Sequence, residues 1–290
     1  MLPLAGATPV SAGAADGPLV RFGVITDCQY ADVETSVKMN RYYRLSPGKL
    51  KEAVEALNGS KLDFCVNLGD TIDRSFDSFE KVLPIFRELK VPLYHAIGNH
   101  DYSVVDEVKH LVPRRLGLER GTYFAWQVRG WRFVMLDGND VSVFAHPKGS
   151  AEHAAAVKYM KSLPGKPAEW NGAISAGQIG WLRGQLEAAR LHREKVVLFC
   201  HYPVFPVDPH NLWNAPEVVS LVETFSDVVA AWMNGHNHQG NYGTKHGVHF
   251  LNFKGMVDTE QNCWAEVAVH RDRLEVTGFA REPKRLLKVG

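Results

Sequence analysis

The sequence predicts an α/β fold, a two-sheet β-sandwich flanked by helices. Three observations carry this. Short apolar runs alternate with amphipathic stretches through residues 20–97, the pace of βαβ winding around a largely parallel sheet. Beyond Tyr242, segments of alternating polarity read as antiparallel strands. No repeat and no linker divides the 290 residues, so residues 20–290 read as one domain.

The elements follow in order. Residues 20–26 (VRFGVIT) form a short apolar run that suits a buried strand. Residues 47–57 carry Leu50, Ala53, Val54 and Leu57 at helical spacing, with Ser46 as N-cap and Pro47 at the first helical position. Residues 62–68 are a second buried strand. Residues 75–89 read as a helix that Pro84 bends, and residues 92–97 as a third strand. Residues 121–128 and 131–137 flank an Arg129-Gly130 turn and predict a hairpin. Residues 145–172, polar, Ala-rich and interrupted by Pro164 and Pro167, read as a surface insertion. Residues 175–190 form an amphipathic helix with Ile179, Trp181, Leu182 and Leu186. Residues 195–200 and 228–233 are buried strands, and 248–253, 264–269 and 274–279 complete the antiparallel part.

Composition excludes several classes. Lys plus Arg number 33 against 32 Asp plus Glu, and a net charge of +1 argues against nucleic acid or an acidic membrane as partner. Cys28, Cys65, Cys200 and Cys263 are too widely spaced for a zinc knuckle or a disulfide framework. No apolar run reaches the ~18 to 20 residues that span a bilayer. Residues 1–19 read as a flexible leader or the remnant of an export signal, which leaves cytoplasm and export equally open. Oligomeric state is not readable. The 13 His point toward metal or acid–base chemistry.

That chemistry has a place. Polar residues follow the carboxyl ends of successive strands: Asp27-Cys28-Gln29, Gly69-Asp70-Thr71-Ile72-Asp73-Arg74, Gly98-Asn99-His100-Asp101, His201, and Gly235-His236-Asn237-His238. In open α/β sheets, sites form at those ends. Asp27, Asp70, Asn99, His201, His236 and His238 offer oxygen and nitrogen donors without thiolates, a set suited to Mn²⁺, Fe²⁺ or Zn²⁺. A carboxylate such as Asp70 can bridge two ions roughly 3.5 to 4 Å apart.

These five blocks, in this order, resemble the signature of the calcineurin-like metallophosphoesterases. Asp27-x-Gln29 stands where that family more often ends the first block in His. This D-x-Q-Y form is similar to the manganese-dependent ADP-ribose/CDP-alcohol diphosphatases, as are Tyr42-Tyr43-Arg44, Trp170-Asn171-Gly172, Trp213-Asn214 and Gly255-Met256-Val257. The resemblance implies the family's αββα sandwich and two divalent ions, Mn²⁺ foremost with Mg²⁺, Fe²⁺ or Zn²⁺ as alternatives. It assigns Asp27, Asp70 and His238, with Gln29 in or next to the shell, to one ion, and Asp70, Asn99, His201 and His236 to the other. His100 becomes the catalytic His, and Asp101 the carboxylate that orients it. Asp73 replaces the Tyr of purple acid phosphatases, which argues against a redox di-iron site.

The implied activity is hydrolysis of the pyrophosphate in nucleoside diphosphate derivatives such as ADP-ribose and CDP-alcohols. A phosphomonoesterase or cyclic phosphodiesterase is the alternative, and a non-enzymatic scaffold the third reading. Tyr30, Arg74 and Trp213 are weaker candidates for substrate contact. His210, in the loop after His201, fits no block.

Overall fold

The computed structural model describes residues 17–290. The expected leader lies outside them up to residue 16. The strands are β1 (Val20–Ile25), β2 (Phe64–Asn67), β3 (Leu93–His95), β4 (Phe124–Val128), β5 (Trp131–Met135), β6 (Lys195–Phe199), β7 (Val229–Asn234), β8 (Asn241–Lys245), β9 (Val248–Asn252), β10 (Cys263–Val269), β11 (Arg273–Ala280) and β12 (Arg285–Lys288). The helices are α1 (Ser46–Gly59), α2 (Phe79–Phe86), the single turn α3 (Val112–Arg115), α4 (Ala151–Ser162), α5 (Ala176–His192) and α6 (Ala215–Thr224). Among the described residues no helix is long and apolar enough to cross a membrane.

Two six-stranded mixed sheets form, ordered β12-β11-β10-β1-β2-β3 and β4-β5-β6-β7-β9-β8. The period of two along each strand sorts side chains between faces. Phe22 and Val24 of β1 join Phe64, Phe133, Met135 and Phe199 in the core between the sheets. Phe22 stacks on Phe64 at 5.0 Å and meets Phe199 edge-on at 5.6 Å. Ile25, next after Val24, faces the other way, onto Leu50, Leu57 and Phe79 of α1 and α2. On the second sheet, Val196 and Leu198 of β6 pack under Leu182 and Leu186 of α5 and Val218 and Val222 of α6. The result is helix, sheet, sheet, helix. Phe133 is fully buried in the central layer; truncating such a ring to Ala costs about 3–5 kcal/mol.

The hairpin between β4 and β5 is as the sequence predicts. Arg129 (φ 46°) and Gly130 (φ 81°) are both left-handed, the turn that matches strand twist. All four cysteines are buried and unpaired.

Several expectations need correction. Ser46 is not the N-cap of α1: it is the first helical residue, Leu45 caps, and no side chain caps the end. The stretch 75–89 divides into a 3₁₀ turn (Phe76–Ser78) and the shorter α2, with Pro84 in its last turn. The insertion holds α4, whose N-cap Ser150 accepts from His153 N–H at 3.1 Å; its Ala run favours helix more than its prolines oppose it. Strand β9 pairs antiparallel with β8 but parallel with β7. Helix α6 and strand β12 went unpredicted.

Candidate metal centre

The site forms where β1, β2 and β3 of one sheet, and β6 and β7 of the other, end. The chain turns sharply at four of the candidate ligands. Asp27 (φ 52°), Gln29 (φ 45°), Asp70 (φ 52°) and His236 (φ 70°) all lie in the left-handed region, which is uncommon outside glycine and clusters at functional sites. The flanking glycines make room. A Cβ on Gly98 would lie 2.1 Å from Asp70 Oδ1, and one on Gly235 would lie 2.4 Å from Asp27 Oδ2. Both glycines let backbone meet a carboxylate that any side chain would displace.

Two donor triplets result, Asp27–Asp70–His238 and Asp70–His201–His236, all buried, with each triplet's ligand atoms within 4.8 Å of one another. Asp70 belongs to both. Each imidazole is anchored through the nitrogen it does not offer. His201 Nδ1–H donates to Leu68 O at 2.8 Å. His236 Nε2–H donates to Asn171 Oδ1 at 2.8 Å. His238 Nδ1–H donates to Asp258 Oδ1 at 2.8 Å. Such partners fix the tautomer and ring plane of a metal-binding His.

The donor set fits divalent cations on two further observations. Anchored as they are, His201 Nε2 and His236 Nδ1 bring two lone pairs to 3.1 Å of each other, an arrangement that asks for a cation or a proton between them. Gln29 donates Nε2–H to Asp70 Oδ2 at 2.9 Å, while its Oε1 is buried with no hydrogen-bond partner. An orphaned amide oxygen is a donor awaiting an ion. Asn99 Oδ1 lies 3.3 Å from His201 Nε2, in place to join the second triplet.

The charge balance says the same. Burial opposes a charged His201, yet Asp70 beside it pushes its pKa up to about 9. Burial alone would raise Asp70, but the imidazoles of His201, His100 and His236 hold it well below the usual carboxylate range. Burial, with His201 next to it, pushes His236 well below the usual imidazole range. The pocket is organised around anions that need positive charge.

His100 and Asp101 have different neighbours from those expected. Asp101 does not touch the His100 ring. Its Oδ1 accepts from Thr71 N–H at 2.8 Å and Ile72 N–H at 3.2 Å, and its Oδ2 from Gly98 N–H at 2.9 Å. It ties the loop after β2 to the loop after β3. The carboxylate beside the imidazole is Asp73, with Oδ1 3.1 Å from His100 Nδ1. The backbone N–H of His100 donates to Asp70 Oδ1 at 2.8 Å. Burial lowers the His100 pKa, but Asp70 and Asp73 outweigh it and the net shift is upward.

A cavity of about 620 Å³ opens over the ligands, with Met39, Arg41, Phe144, Trp170 and His210 completing its wall around His100. Of the weaker candidates, Tyr30 is buried in the core under α1 and α2. Arg74 lies over the Tyr43 ring, 5.5 Å from its centroid, away from this wall. Trp213 lines a neighbouring cleft, its indole N–H donating to Ala168 O at 2.9 Å.

Sequence reasoning assigned no role to Asp258, Asn171 or Arg41. Arg41 contacts both Asp258 and His238. The stretches Trp170-Asn171-Gly172 and Gly255-Met256-Val257 point at two of them, but only the fold shows what they hold. His210 pairs with Asp208 through Nδ1 at 2.6 Å, and its ring stands edge-on to His236 at 5.5 Å.

Residues 20–240 match the calcineurin-like phosphoesterase family. The Mus musculus manganese-dependent ADP-ribose/CDP-alcohol diphosphatase is 30% identical over 96% of each chain. The Arabidopsis thaliana protein of that name is 29% identical, covering 92% of this chain and 96% of its own. A dimetal phosphatase from Danio rerio superposes with a TM-score of 0.85 at 25% identity, over 94% of this chain and all (100%) of that one. The chain belongs to the calcineurin-like phosphoesterase family, a family of hydrolases.

Proposed function

We propose that this chain hydrolyses the pyrophosphate bond of nucleoside diphosphate derivatives such as ADP-ribose and CDP-alcohols, using two divalent ions, Mn²⁺ first among them. The observation that carries the reading is the pair of buried donor triplets sharing Asp70, with the Gln29 amide oxygen left over beside them. The names of the relatives support manganese and the diphosphate substrates.

Asp27, Asp70 and His238, with Gln29, hold one ion; Asp70, Asn99, His201 and His236 hold the other. Such a pair supplies a nucleophilic water at neutral pH and neutralises charge on the phosphate. The chain's own groups do the rest. His100 stands at the cavity wall with Asp73 beside it, and the carboxylates of Asp70 and Asp73 raise the imidazole's hold on a proton. It delivers a proton to the departing oxygen. Asp101 keeps the two ligand loops in register. Phe144 and Trp170 supply apolar wall to the cavity beside the candidate ligands.

The test is a substrate panel: ADP-ribose, CDP-choline, cyclic nucleotides and p-nitrophenyl phosphate, each with Mn²⁺, Mg²⁺ and Zn²⁺. Fastest turnover of the two diphosphates with Mn²⁺ is expected. Preference for p-nitrophenyl phosphate or a cyclic nucleotide would replace this reading with the phosphomonoesterase or cyclic phosphodiesterase one. No turnover of any compound with metal bound would leave a scaffold.

A further inference from the structure

We propose that Trp170 is the stacking platform for the nucleobase of the substrate, and that the base lies at the junction of the metal cavity with the cleft behind it. The proposal rests on the diphosphatase reading for the placement of the phosphates at the ligands.

Trp170 is 52% exposed, unusual for the largest apolar side chain. It lines the metal cavity and also a second cleft of about 1050 Å³ floored by Val204, Phe205 and Leu212. The two spaces therefore both border its side chain, with Glu169 beside it.

The segment carrying it is fixed to the metal ligands. Asn171 Oδ1 accepts from His236 Nε2–H at 2.8 Å, and Asn171 Nδ2–H donates to Pro209 O at 2.8 Å. The next carbonyl, of Gly172, accepts from Trp213 N–H at 2.8 Å. The indole is thus held at a set position relative to the donors, one residue from a side chain that orients one of them.

Other aromatic residues near the site are committed elsewhere. Tyr30 is buried, the Trp213 indole is tied through its Nε1–H to Ala168 O, and Phe144 packs toward Tyr102 at 6.5 Å. Among the described residues, the aromatic on the cavity wall with a broad exposed surface is Trp170.

The chemistry of the cleft favours a ring over a second phosphate. Of the two lysines that line it, Lys166 and Lys245, the second is paired with Glu223 at 2.7 Å, and the carboxylates of Glu169, Asp208 and Glu223 disfavour a second phosphate there. An apolar floor with an indole at the entrance suits a planar, weakly polar base. Aromatic stacking is tolerant of base identity, so one platform serves both an adenine and a cytosine diphosphate.

The experiment titrates AMP and ribose 5-phosphate by calorimetry into Mn²⁺-loaded wild type, Trp170→Ala and Trp170→Phe. The two probes share a phosphate and a pentose and differ in the base. Trp170→Ala is expected to weaken AMP about tenfold, leave ribose 5-phosphate unchanged, and raise KM for ADP-ribose more than it lowers kcat. Trp170→Phe should retain most of the AMP affinity. Equal weakening of both probes, or of neither, would overturn the proposal. If wild type hydrolyses no diphosphate yet AMP binding still depends on Trp170, the proposed function fails and the stacking stands. If diphosphates are hydrolysed and AMP is indifferent to Trp170, only the stacking fails.

Discussion

The two donor triplets share Asp70 and differ in what stands behind them. His238 leans on a charged pair, Asp258 with Arg41, and Lys49 fastens that loop by donating to the carbonyls of Met256 at 2.9 Å and Asp258 at 3.2 Å. His201 and His236 lean on neutral acceptors, the Leu68 carbonyl and the Asn171 amide. The first triplet also brings Asp27, while the second adds the neutral Asn99. A carboxylate behind an imidazole raises its basicity more than an amide does. On the proposed reading the first triplet is therefore expected to be the stronger site for a hard cation. The second, beside Trp170 and His210, is expected to exchange its ion more readily.

The largest effect should come from the residue that erases the comparison. Asp70→Ala removes the carboxylate both triplets use, so turnover should vanish and metal content fall by elemental analysis. The fold should survive, because Asp70 sits at a loop rather than between the sheets, and circular dichroism checks this. Full activity with both ions retained would end the shared-ligand picture.

His100→Ala leaves both triplets intact. It should lower kcat by about 10²- to 10⁴-fold with metal content unchanged, the smaller loss on substrates with good leaving groups. Loss of one ion per chain would make His100 a ligand instead. Asp73→Asn should reproduce part of the kcat loss and move the alkaline limb of the pH–rate profile to lower pH, because His100 acts as a proton donor and loses the carboxylate that raises its pKa, whereas Asp101→Asn should lower thermal stability.

The comparison itself is sharpened by a matched pair. Asp258→Asn should weaken Mn²⁺ at the first triplet by about 10- to 100-fold. Asn171→Ala should weaken the second by less, because a neutral partner is lost. Stepwise Mn²⁺ titration followed by paramagnetic resonance reads both. A larger loss for Asn171→Ala would reverse the ranking.

The smallest change is Gln29→His. It should leave two ions bound but move preference from Mn²⁺ toward Zn²⁺, since imidazole is a stronger donor than an amide oxygen. An unchanged metal ranking would place Gln29 outside the coordination shell and leave its lone Oε1 unexplained.

The candidate ligands were legible because metal chemistry demands a few residue types at strand ends, and glycine beside them where backbone crowds a carboxylate. Their supports were not, because nothing local marks them. Asn171 meets His236 across 65 residues, and Arg41 meets Asp258 across 217. The exchange of Asp73 for Asp101 has a similar cause. In the 3₁₀ turn at His100–Tyr102 the Asp101 side chain points back at backbone amides, a direction that sequence spacing does not reveal. The sandwich was readable from periodicity, but the parallel pairing of β9 with β7 is a matter of crossover, which periodicity does not encode. Helix α6 escaped notice because its Val-rich stretch has weak intrinsic helix preference.

Strand β1 sits between β2, which follows it closely, and β10, which lies near the end of the chain. During synthesis its far edge stays open until residues 263–269 emerge and pair with Val20–Val24. The same late arrival governs the site, where His236 N–H closes on Asp27 across 209 residues. A nascent chain therefore holds only the first half of the ligand set and an unpaired strand edge, the kind of surface that invites association with other chains. Long-range closure of this kind is slow. Vulnerability to aggregation should fall within that window of translation rather than in the finished protein.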